Sequence, residues 1–189
     1  MEKDKLLLPL DGSLVYERVI TQLYPSCRPL LLIGRNLPLP FPMEAVQLPD
    51  LYTGSGPLSG LAAALCHADR VLRAPWILAV AGDLGLIDKR LVRRICQFSS
   101  SSEDIVMPLA GNRPQPLFAL YRSHLADLAV RLLTQGERRV MALARHCRVQ
   151  YLSESELGID SDGQNADLRL MDLDTPEDYR TAQNYLAKH

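Results

Sequence analysis

Residues 56–61, Gly56-Pro57-Leu58-Ser59-Gly60-Leu61, join a turn built of glycine and proline to the helix-forming run Ala62-Ala63-Ala64-Leu65. Glycine lets backbone approach a ligand closely, and a helix start presents unpaired N–H groups and a positive dipole end, so this turn suits a nucleotide or phosphate. Asp83 follows the apolar run 76–81 through Gly82. A carboxylate there can hold Mg²⁺ together with substrate phosphates, because that ion takes one or two carboxylates plus phosphate oxygens; it can equally cap the next helix. Asp172 and Asp174 flank Leu173, and alternation along an extended segment puts both on one side. Asp174 and Thr175 also suit a helix cap. Lys5 is a cation near the start, Asp50 could accept hydrogen bonds from a base or ribose or sit as a loop acid after Pro49, and Gly136-Glu137-Arg138-Arg139 is either a basic patch for an anionic substrate or a solvated helix start.

These residues need a frame. Apolar spacing predicts helices over 14–23, 60–67, 88–98, 125–133 and 139–147, and strands over 30–33, 45–48, 76–81, 105–107, 117–120 and 168–173. The run 76–81 is apolar on both faces, as a central parallel strand should be. Residues 153–167 are polar and are expected to loop out. Thr175-Pro176-x-Asp178 opens a last helix, with Thr175 as N-cap and acids at the positive end. Strands separated by crossover helices predict a three-layer α/β fold, a mainly parallel sheet with helices on both faces. Ligands in such sheets bind beyond the carboxyl ends of the strands. Gly56 and Asp83 both follow predicted strands and can share one rim.

Composition narrows the classes. The chain has 189 residues, is 47% hydrophobic and carries a net charge of −1. That fits one domain spanning 1–189, with no basic footprint for nucleic acid. The four cysteines (Cys27, Cys66, Cys96, Cys147) form no C-x-x-C pair. They read as reduced thiols of a cytoplasmic protein rather than a zinc site or disulfide scaffold. No apolar run approaches the ~18–20 residues of a membrane span, and the segment after the charged start ends by Asp11, so it does not read as a signal peptide. His67, His124 and His146 lack metal-ligand spacing.

Taken in order, several motifs resemble one family. They are Asp4-Lys5-x-Leu-Leu-Pro-Leu-x-Gly12, Gly56-Pro57-Leu58-x-Gly60-Leu61, the strand leading to Asp83, Arg113-Pro-Gln-Pro-Leu-Phe-Ala-Leu-Tyr121, Gly136-Glu-Arg-Arg139 and Asp174-Thr-Pro-Glu-Asp178. The family is the molybdenum cofactor guanylyltransferases, and the similarity runs over nearly the whole chain. It implies a nucleotide-diphospho-sugar-transferase-like (GT-A) fold and transfer of GMP from GTP to molybdenum-molybdopterin, with Mg²⁺ and release of pyrophosphate. It implies that Lys5 contacts nucleotide phosphate, that Asp50 and Gly56, Pro57 and Leu58 hold the guanosine end, and that Asp83 holds Mg²⁺. Arg113, Arg138 and Arg139 would lie toward the pterin phosphate. Asp172 and Asp174 stand where guanylyltransferases often carry asparagines. Asp-x-Asp-Thr-Pro-Glu is closer to related cytidylyltransferases, so CTP is the alternative donor. Gly85 stands where the family usually has proline.

The largest departure is at the start. Family members begin with a strand and a loop of the form Leu-Ala-Gly-Gly-x-Ser-x-Arg-Met-Gly before Asp-Lys, and this chain begins at that loop's methionine. The resemblance therefore implies a chain truncated relative to the family, with two strands left carrying unpaired backbone groups. An alternative function follows, a non-catalytic molybdopterin-binding relative. The remaining expectations are a monomer or weak homo-oligomer, and a molybdoenzyme or its chaperone as partner.

Overall fold

Strands β6 (Ile105–Ala110) and β8 (Phe118–Arg122) alternate their side chains between two helical layers. Ile105, Met107, Ala119 and Tyr121 face one way and pack on α2 (Pro57–His67), α4 (Ala126–Thr134) and α5 (Met141–Ala144). Val106, Phe118 and Leu120 face the other way, against α1 (Val15–Leu23) and α3 (Lys89–Cys96). These positions are buried, and each large aliphatic side chain so placed contributes about 1.5–3 kcal/mol. The structure is a computed structural model that describes residues 4–159 and 166–188. The polar segment 153–167 lies partly outside them.

The remaining elements are β1 (Pro9–Leu10), β2 (Ser13–Leu14), β3 (Leu30–Ile33), β4 (Ala45–Leu48), β5 (Trp76–Val80), β7 (Arg113–Pro114), β9 (Val149–Leu152), α6 (Ala166–Arg169) and α7 (Pro176–Leu186). β5 pairs with β8, β8 with β6, and β6 with β9, while β7 folds back on β6 as a hairpin. β3 pairs in parallel with β4, and β6 in parallel with β9. β8 runs antiparallel to both β5 and β6, so the sheet is mixed. Two short strands, β1 and β2, form a separate hairpin.

Several sequence expectations shift. α2 starts at Pro57, earlier than residue 60, because proline is well suited to a first helical turn. β9 has no counterpart among the predicted strands, since four residues of mixed polarity carry little periodic signal. The strand expected over 168–173 is instead the end of α6 and an unpaired extended segment. The alternation argument survives this change: Leu173 is buried while Asp172 and Asp174 are exposed.

β5 is not a central strand. It pairs only with β8, and β3 pairs only with β4, among the described residues. Between their free edges lies an apolar slot of about 560 Å³, lined by Leu31, Ile33, Leu61, Trp76, Leu78 and Val80 among others. Every residue of β5 is consequently only half-buried. Cys27 and Cys96, far apart in sequence, meet beside this slot with their Sγ atoms 4.0 Å apart. Among the described residues no helix is long and apolar enough to cross a membrane.

Candidate active site

Asp4 caps a single 3-10 turn over Lys5–Leu7 by accepting from the Leu6 N–H at 3.2 Å. That turn straddles the ends of β3 and β5. Asp4 pairs with Arg35, just beyond β3, and a Cβ on Gly82, just beyond β5, would lie 3.2 Å from Leu6. Lys5 points to the β5 side. Its Nζ lies 2.6 Å from Asp174 Oδ1 and also pairs with Asp83 Oδ2. Burial alone would lower the Lys5 pKa, but the hydrogen bonds it donates to Asp174 and Asp83, with their charges, outweigh it and hold the ammonium well above the usual lysine range.

Asp172 joins this group. Burial raises its carboxyl above the usual range, the charges of Asp83 and Asp174 push the same way, and Lys5 and Arg113 pull back. Asp172 keeps an exposed face, so solvent screening tempers the effect. Lys5, Asp83, Arg113, Asp172 and Asp174 therefore form one electrostatic cluster, although they come from four separate segments of the chain. Asp83 is its inner member, 9% exposed. The floor is tightly packed: a Cβ on Gly85 would lie 2.8 Å from Leu10 and 3.2 Å from Leu173, and Arg18 Nε donates to the Gly85 carbonyl at 2.8 Å. Proline at Gly85 would meet those same side chains.

Among the described residues no group of three or more histidine, cysteine, aspartate or glutamate side chains converges as a metal site. Mg²⁺ needs less, since one or two carboxylates and substrate phosphates complete its shell. Asp83 with Asp172 is an all-oxygen donor pair whose mutual repulsion a divalent cation would relieve, so these residues fit that ion.

A second group lies around the α2 start. Gly56 has φ +71°, and a Cβ there would lie 3.1 Å from the Arg138 carbonyl. The Leu58 N–H donates to that carbonyl at 3.2 Å, and an Arg138 guanidinium N–H donates to the Gly54 carbonyl at 3.1 Å. The Gly56-Pro57-Leu58 turn and the Arg138–Arg139 segment, assigned by resemblance to opposite ends of the substrates, are thus direct neighbours. Asp50 sits over both Gly34 and Gly60, whose Cβ positions would fall 3.0 and 3.1 Å from its carboxylate oxygens.

Sequence reasoning passed over the residues that lock these parts. Ser59 Oγ accepts from the Tyr52 N–H at 2.7 Å and donates to the Tyr52 carbonyl at 2.9 Å, pinning the loop ahead of α2. Glu137 accepts from the Arg139 and Arg138 N–H groups, which hold its carboxyl below the usual range. Arg35 ties Asp4 to β3. Of these, Asp4 alone carries a sequence signal that could have found it, as an N-cap residue type.

A family model described as MobA-like NTP transferase domain matches residues 1–150. Among similar proteins is a molybdenum cofactor guanylyltransferase of Vibrio parahaemolyticus, 29% identical over 177 residues, covering 93% of this chain and 84% of its own. One from Vibrio vulnificus is 28% identical over 155 residues, covering 82% and 77%. Molybdopterin-guanine dinucleotide biosynthesis protein A from Archaeoglobus fulgidus has a similar fold, with TM-score 0.79 at 22% identity over 100% of this chain and 93% of that one. A 2-C-methyl-D-erythritol 4-phosphate cytidylyltransferase from Thermus thermophilus aligns with TM-score 0.68 at 16% identity, over 98% and 94%.

Proposed function

Since the chain belongs to the MobA-like NTP transferase family, we propose that it is a molybdenum cofactor guanylyltransferase, transferring GMP from GTP to molybdenum-molybdopterin. The supporting observation is the Lys5–Asp83–Asp174 contact, with Asp172 and Arg113 beside it, at the end of β5. The attacking group is the terminal phosphate of the pterin. A bond forms from its oxygen to the α-phosphorus of GTP, the bond to the β-phosphate oxygen breaks, and pyrophosphate leaves. The attacking phosphate is already ionised, so no general base is needed.

The protein's task is positioning and charge stabilisation. Lys5 carries three donors, and two carboxylates take two of them, leaving one for a phosphate oxygen. Its elevated pKa keeps it cationic throughout the physiological range. Asp83 and Asp172 are the residues that would hold Mg²⁺, which when bound neutralises charge developing on the phosphates. Asp50 and the Gly56-Pro57-Leu58 turn would face the guanosine end of the nucleotide. Arg113, Arg138 and Arg139 would receive the pterin phosphate. The Asp172-x-Asp174 pattern favours CTP as a second candidate donor.

The test is thermal stability with GTP, CTP or ATP, each with Mg²⁺, for the protein and for Asp83→Asn. A ligand at 100 times its Kd adds about 2.7 kcal/mol. GTP alone should raise Tm, and Asp83→Asn should abolish the rise. Stabilisation by CTP alone would reassign the donor, and no stabilisation by any nucleotide would remove the enzyme reading for this chain.

A further inference from the structure

Cys27 and Cys96 lie 69 positions apart in sequence, yet their Sγ atoms are 4.0 Å apart and share a hydrogen bond. Two helix ends hold them there. Cys27 follows α1, and its N–H donates to the Leu23 carbonyl at 3.0 Å, so the chain keeps a helical turn beyond the last residue of that helix. Cys96 is the last residue of α3. Both pack against the core cluster that contains Val19, Leu91 and Ile95, and Cys27 also borders the cluster of Tyr16, Ile20 and Leu30. Both cysteines are half-buried.

A pair of thiols is too small a set for a structural zinc, and among the described residues no third ligand joins them. Two sulfurs in contact have another chemistry open to them. A disulfide is about 2.05 Å long, so the pair closes by drawing the sulfurs together by about 2 Å, within the swing of a cysteine side chain about its Cα–Cβ bond. The two thiols are not alike. The hydrogen bond between them raises the Cys27 thiol, with burial adding to it, and lowers the Cys96 thiol below its usual value. Cys96 is therefore the sulfur that gives up its proton first. Cys66 and Cys147 differ from this pair: they border another core cluster, and burial raises both thiols. They serve as a built-in control.

We propose that Cys27 and Cys96 form an oxidative modification site, a dithiol that a peroxide closes to a disulfide between the ends of α1 and α3. The Cys96 thiolate attacks one peroxide oxygen, the O–O bond breaks, and a Cys96 sulfenic acid forms as hydroxide leaves. That hydroxide takes the Cys27 proton. The Cys27 sulfur then attacks Cys96 Sγ, and the sulfenic oxygen departs as a second hydroxide, which takes up the proton that Cys96 had released. Two thiols are oxidised, one peroxide is reduced, and water is the only other product. The test uses the full chain, reduced, freed of reductant and exposed to hydrogen peroxide, with remaining thiols alkylated before digestion. Mass spectrometry should find a Cys27–Cys96 peptide pair that dithiothreitol separates, with Cys66 and Cys147 alkylated. Tm should rise by about 5 °C, because the bond closes a long loop in the unfolded chain, and dithiothreitol should reverse the rise. Cys27→Ser and Cys96→Ser should each abolish it. Peroxide treatment that leaves Cys27 and Cys96 open to alkylation would overturn the proposal. So would Cys96 oxidised to a sulfinic acid without a link to Cys27, or a link found only between two copies of the chain on a non-reducing gel.

Discussion

Lys5 donates to two carboxylates while a third, Asp172, stands beside them, so this part of the rim holds more negative charge than one ammonium balances. Asp172 bears the consequence. A carboxyl whose folded pKa is raised favours the folded state below its unfolded value of 3.8 and loses that advantage as pH rises through the folded value. Asp172→Asn should therefore raise Tm at pH 7, and the gain should vanish in melts below pH 3.8, where both side chains are neutral. An equal gain at both pH values would show that packing, not charge, is responsible. Gly56 is constrained by geometry instead. Its positive φ and the Arg138 carbonyl 3.1 Å from a Cβ position predict that Gly56→Ala costs about 1–3 kcal/mol in denaturant unfolding. The same change should weaken nucleotide stabilisation, because it disturbs the α2 start.

α7 is the element that fixes Asp174. Thr175 Oγ1 accepts from the Asp178 N–H at 3.1 Å, Asp178 Oδ2 accepts from the Thr175 N–H at 2.8 Å, and Pro176 opens the helix. Thr175→Ala should lower stability by about 0.5–2 kcal/mol by denaturant unfolding. It should also relax Asp174 away from Lys5 and reduce the GTP-dependent rise in Tm. This cap was readable residue by residue, because Thr-Pro-x-Asp encodes its own local geometry. The same holds for α1, β3 and β4, whose apolar runs and stops are local. β9 was not readable, since its four residues become a strand only by pairing with β6. The direction of β5 relative to its neighbour failed for a related reason: an apolar run shows burial but not which strand lies alongside. In the site, Asp83, Lys5, Asp172 and Asp174 were visible as charges at element ends. The Arg138–Gly54 bond and the Ser59–Tyr52 clasp were not, because each joins backbone to side chain across a fold that local patterns do not describe.

Across the whole molecule the slot divides strand pairing into two sets. β3 and β4 are held to the rest through α1, α2 and the 3-10 turn rather than by a ladder. Their amides should exchange with solvent faster than those of β6 and β8, which are buried and paired on both sides. Uniform protection through both sets, followed by mass spectrometry or NMR, would contradict this division. A different consequence follows from the Lys5–Asp174 contact, which spans 169 positions of sequence, and from the Tyr179 hydroxyl that donates to the Pro9 carbonyl on the same side of the molecule. During synthesis on the ribosome, Lys5 leaves the exit tunnel long before its second carboxylate is made. The charge cage around Lys5 therefore stays incomplete until α7 emerges and folds back onto the first residues. The earliest and the latest described segments of the chain are thus joined in one cluster of charges.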